Sequence, residues 1–237
     1  MGIKTLNYIH ATLGLAGHVF LATALIRRKL AARLPLFTTL VVFYVLRSGI
    51  LLLVDFSVMN AVPYWILIAL DPVLQGILYA TIVVAWWPSA RQLNRVQTLA
   101  ASGLVVMAAG WAGLAAWYVG PSSHFSPENL SIKAGVFFSV LWIEAGLALA
   151  ASCVGLLSQL PRFTRIVVLG FAIYSAANVI TEIGHTHFAR ARAMQPYLEL
   201  SYMRIGAYFF CLGLWIAACS REPRIAARRA AAYTSAA

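Results

Sequence analysis

Glu182 and His185 stand three residues apart in "TEIGHTHFARAR", the polar end of an otherwise apolar stretch. On a helix this spacing puts both side chains on one face, as in the E-x-x-H pairs that ligate metals in helical bundles. His187 falls roughly 200° around the helix from His185 and would face elsewhere. His10, near the start of the chain, and His124, in "PSSHFSPEN", are candidates to complete such a site. A zinc or iron ion held by Glu182, His185 and His10 is one expectation, and histidines solvated where a helix meets water are the other. The chain has no H-E-x-x-H, no G-x-S-x-G and no phosphate-binding glycine loop. His18, alone in its segment, offers a single haem ligand with no evident facing partner.

A second group of residues points to binding. Arg47, Asp71, Glu144, Glu182 and Arg204 each interrupt a different apolar segment. A charge at the bilayer centre costs at least about 2.5 kcal/mol, so each needs a partner or a wet cavity. Polar companions recur at three- and four-residue steps: Tyr174, Asn178, Glu182 and His185 in one segment, and Tyr197, Ser201, Arg204, Tyr208 and Cys211 in the next. Tyr64, Asp71, Gln75 and Tyr79 share an earlier segment, where Pro72 is expected to kink the helix and release a carbonyl beside Asp71. The candidate ligand-binding set is therefore Arg47, Asp71, Gln75, Glu144, Asn178, Glu182, Arg204 and Tyr208. Either the arginines contact a small polar or anionic ligand while the carboxylates set its charge, or the ion pairs only lock the bundle. Three acids against two arginines leave one acid protonated or neutralised by something bound.

Composition says what must position these residues. With 62% of residues apolar and 11% charged, the chain carries more apolar side chain than one water-surrounded core of this length could bury. The expected fold is all-α: a polytopic membrane protein with a single bundle of seven transmembrane helices. Seven apolar segments approach the ~20 residues that cross a hydrocarbon core: Thr5 to Ile26, Leu36 to Val54, Val62 to Trp87, Thr98 to Val119, Ile132 to Leu157, Thr164 to Phe188, and Tyr197 to Cys219. Polar faces should turn inward, because lipid offers no hydrogen-bond partners. The fourth segment, "AASGLVVMAAGWAGLAAW", lacks charge and is rich in small residues, which suits close helix packing. Residues 1–220 read as the transmembrane domain and 221–237 as a short basic tail.

The formal charge of +11 is strongly basic, but the basic residues cluster between apolar segments, which argues for membrane orientation and against nucleic acid. Arg27, Arg28, Lys29 and Arg33, then Arg91 and Arg95, then Arg162 and Arg165, and finally the tail arginines lie on one side. The other side holds only Lys4, Lys133, Arg190 and Arg192, offset by Asp55, Glu128 and Glu199. This bias puts the N-terminus outside and the C-terminus in the cytoplasm, with the five intramembrane charges about 9–15 Å below the outer edge. "RRK" follows the first apolar run, the reverse of a secretory signal, so that run reads as a permanent helix. Cys153, Cys211 and Cys219 form no C-x-x-C pair and read as small buried side chains. In topology the chain resembles rhodopsins, but its lysines are Lys4, Lys29 and Lys133, so the seventh helix has no attachment point for a retinal Schiff base.

The expectation is an inner-membrane protein whose outward-facing polar pocket binds a small polar or anionic ligand. It would serve as a carrier, or as a sensor subunit signalling through a separate partner. A metal-dependent intramembrane enzyme and a structural assembly subunit are the alternatives.

Overall fold

The computed structural model describes residues 3–53, 61–90, 95–119, 127–151 and 161–221. Among the described residues the chain forms seven helices and no strand: α1 (Ile3–Arg27), α2 (Pro35–Leu53), α3 (Ala61–Ala90), α4 (Arg95–Tyr118), α5 (Pro127–Ala151), α6 (Arg162–Arg190) and α7 (Met194–Arg221). Four stretches, Ile9–Arg27, Asn129–Leu147, Arg162–Ala189 and Met194–Arg221, are long and apolar enough to cross a membrane; Pro35–Ile50 and Leu67–Val83 are shorter apolar helices. The basic tail beyond Arg221, His124 and Cys153 lie outside the described residues.

Two turns end their helices in the same way. Lys29 and Arg192 adopt left-handed backbone, with φ of 56° and 55°. After α1, the Leu30 amide donates to Leu25 O and the Lys29 amide to Ile26 O; after α6, the Ala193 amide donates to Phe188 O and the Arg192 amide to Ala189 O. Both are Schellman caps, which satisfy carbonyls that the helix end would otherwise strand. Leu25 and Leu30, the positions whose apolar contact commonly accompanies this motif, are both buried.

The chain divides into two compact units. The first contains α1, α2 and the part of α7 from Leu212 onward. Its core holds Leu21, Leu25, Phe37, Leu40 and Leu212, with Phe37 edge-on to Trp215 at 5.4 Å. A Cβ at Gly17 would strike Leu212, so this glycine permits close helix approach. His18 is buried, its ring 5.0 Å from that of Tyr44. Tyr44 in turn lies under the Arg47 guanidinium, 5.0 Å from ring centroid to Cζ, a cation–π arrangement.

In the second unit, residues 60–211, α5 packs against α3, α4 and α6. Trp142 is fully buried, stacked on Phe171 at 4.5 Å and edge-on to Tyr79 at 5.4 Å. On α4, Ala112 and Ala116 are buried while Trp111, Leu114 and Trp117 are exposed, Trp117 by 81%. A stripe of that kind is unfavourable in water and at home against lipid chains.

Candidate functional site

Four helices of the second unit surround a cleft of about 150 Å³, room for about five waters. From α3 come Ile68, Asp71, Pro72 and Gln75; from α5, Ser131, Ile132, Gly135 and Ser139. Tyr174, Asn178 and Glu182 belong to α6, and Arg204 to α7. On α3, α5 and α6 these residues recur at three- or four-residue steps, so each of the three contributes one stripe, and α7 adds Arg204. The cleft lies toward the starts of α3, α5 and α7 and the end of α6.

A chain of hydrogen bonds crosses it. Arg204 Nη1 donates to Glu182 Oε1 at 2.5 Å and to Asn178 Oδ1 at 3.3 Å. Asn178 Nδ2 donates to Ser139 Oγ at 3.0 Å, which links α7, α6 and α5. On α3, Gln75 Nε2 donates to Asp71 Oδ1 at 2.8 Å, one turn away. Pro72 has no N–H and cannot donate to the Ile68 carbonyl four residues back; Ile68 and Pro72 both line the cleft. Ser131 also lines it and is 6% exposed.

Of the eight residues expected to bind ligand, Asp71, Gln75, Asn178, Glu182 and Arg204 line this cleft. Tyr208 does not line it but meets the ring of cleft-lining Tyr174 at 6.3 Å. Glu144 does not line it either. On α5 it lies roughly 180° around from Gly135. Glu144 is instead within electrostatic reach of Tyr79, and its Oε2 is buried with no hydrogen-bond partner among the described residues. Arg47 belongs to the first unit, against Tyr44 and Phe43, and His10 is half-buried on α1 in that unit.

His185 stacks on Tyr197 at 3.8 Å between centroids. Its Nε2 lies 3.1 Å from Tyr197 O and 3.0 Å from Ser201 Oγ, while Ser201 Oγ itself donates to Tyr197 O at 3.1 Å. A carbonyl only accepts, so these bonds assign the proton to Nε2 and leave Nδ1 as the nitrogen open to a metal. Among the described residues no three His, Cys, Asp or Glu side chains come together as a metal-binding group. His187 is exposed, on a different face from His185.

Three small cleft residues of α5 escaped the sequence reading: Ser131, Gly135 and Ser139. They recur every four residues, a spacing that marks one helix face. The fifth apolar segment was expected to begin at Ile132, but α5 begins at Pro127, which brings Ser131 into the helix. Proline suits a first helical position, because its missing N–H would have no helical partner there.

The chain matches no protein-family model, no curated protein and no solved structure.

Proposed function

We propose that this chain is a multi-pass inner-membrane protein, N-terminus outside, that binds a small polar solute in the cleft between α3, α5, α6 and α7. It acts as a carrier or as a sensor subunit that passes occupancy to a separate partner. The lysine and arginine bias supports the orientation, which turns the cleft toward the outer side. The observation that carries the reading is the cleft itself: a space of about 150 Å³ between apolar helices, lined by Asp71, Asn178, Glu182, Arg204 and the buried Ser131. Polar side chains turned away from lipid gather where a partner or a wet space receives them, and a solute or water in the cleft meets that need.

A structural role has one specific observation in its favour. The chain Arg204–Asn178–Ser139, with Glu182 on Arg204, ties three helices together whether or not anything binds. Gly135 separates the two readings. It lines the cleft, and a Cβ built there meets nothing within 4 Å. Gly135→Leu therefore fills the space without a steric clash at Cβ, and leucine is the better helix former. Thermal melts of the purified protein with millimolar ethylammonium, acetamide or acetate provide the test. At least one probe should raise the wild-type midpoint, and none should raise that of Gly135→Leu. A wild-type midpoint indifferent to all three supports the structural role.

A further inference from the structure

We propose that Glu144 is a proton-binding site inside the membrane, a carboxyl group that holds H⁺ where the neighbouring helices supply no cation. The assignment rests on α5 crossing a membrane and does not depend on the cleft. Glu144 lies within the apolar stretch Asn129–Leu147. Its Oε2 is buried without a hydrogen-bond partner, and no ion pair joins its carboxyl to a base among the described residues. The helices packed on α5 explain why. From α3 comes Tyr79, within electrostatic reach of Glu144 and neutral as a phenol. This part of α5 meets α6 through Phe171, stacked on Trp142, and Ala172, against Gly146. Arg162 and Arg165, at the start of α6, form no ion pair with Glu144. On α4, the ionisable group among the described side chains is Tyr118, at the end of that helix. Lys133, about three turns away on α5 itself, lies over the Trp117 ring. Arg204 is directed at Glu182.

A carboxylate inside a bilayer needs a base or water beside it, and without either the neutral acid is the more stable form. A bound proton supplies that form. Losing it would put a bare negative charge close to the edge-on contact of Tyr79 with Trp142, which joins α3 to α5. Leu147, three residues on and about 60° around the helix, is 63% exposed. Lipid therefore reaches this side of α5, and so does a lipid-soluble reagent.

Dicyclohexylcarbodiimide tests for such an acid. The carboxyl proton passes to one carbodiimide nitrogen and the carboxyl oxygen bonds to the central carbon. The adduct rearranges to an N-acylurea that keeps every atom of both partners. The full chain is treated in detergent at neutral pH and its peptides are mapped by mass. Glu144 should be labelled about tenfold or more faster than Glu182, whose charge-assisted bond to Arg204 must first be broken. Labelling of Glu144 should fall as pH rises and be indifferent to sodium at fixed pH. Sodium that protects Glu144 would replace the proton by a metal cation and overturn the proposal. Labelling equal to that of Glu182, or labelling that does not fall with rising pH, overturns it too. If Glu144 takes no label, infrared spectroscopy decides. The proposal then requires a free-acid carbonyl band that Glu144→Gln removes or, should that variant not fold, that Glu144→Asp shifts. A wild-type protein without such a band overturns it.

Discussion

Arg204 Nη1 and Glu182 Oε1 lie 2.5 Å apart, joining α7 to α6 across the cleft. The pair is not sealed: the Arg204 side chain is 33% exposed and that of Glu182 16%. Its contribution should therefore fall below the 3–5 kcal/mol lost when a fully buried pair is broken. Arg204→Ala and Glu182→Gln should each cost about 1–2 kcal/mol in reversible unfolding, and the double-mutant cycle should show a coupling above about 0.5 kcal/mol. Additive single effects would mean that the pair contributes nothing as a pair.

Two glycines of α5 should behave oppositely. A Cβ at Gly146 would collide with the Cβ of Ala172 on α6, which cannot yield without moving backbone. Gly146→Ala should cost about 1–3 kcal/mol, as other overpacked interfaces do. Gly135→Ala meets open space and should be neutral or stabilising by up to about 1 kcal/mol. Equal effects in thermal melts would contradict the packing of α5 on α6.

The helices and their polar stripes were legible because a 3.6-residue period survives in any apolar helix that must hide a few polar groups. Asn178 with Glu182 on α6, Arg204 on α7, and Asp71 with Gln75 on α3 all reach the cleft. The side of α5 that faces it was not legible from charge. Glu144 lies on another face of α5, while the cleft side carries Ser131, Gly135 and Ser139, whose small size is the signal. The pairing of Arg204 with Glu182 was also beyond reach: three acids and two arginines allow several matches, and only packing selects one.

His185 bears on the metal alternative. Nε2 donates to Tyr197 O, and the described residues assemble no three-ligand group around His185. One equivalent of zinc should leave the melting midpoint unchanged, and the protein as purified should hold no stoichiometric zinc or iron. Metal near one equivalent, lost in Glu182→Gln and His185→Ala, would establish the enzyme or metal-site reading instead.

Orientation is tested independently of any ligand. Arg27, Arg28, Lys29 and Arg33 sit between the first two apolar segments, and four arginines follow the last from Arg221 on. A C-terminal reporter should be active only in the cytoplasm, and a tag at Gly2 should be reached from outside. A C-terminus found outside would turn the cleft toward the cytoplasm and reverse the direction from which a solute enters.

The most direct test of a wet, solute-sized cleft is the labelling of Ser131→Cys by small methanethiosulfonates, with Cys153, Cys211 and Cys219 replaced by alanine. Ser131 is 6% exposed, so its label must come through the cleft rather than from open surface. The predicted result is rapid reaction from the outer side that is blocked when Gly135→Leu is added. A thiol at position 131 that never reacts, or that reacts at the same rate with and without Gly135→Leu, would contradict the cleft as a binding site.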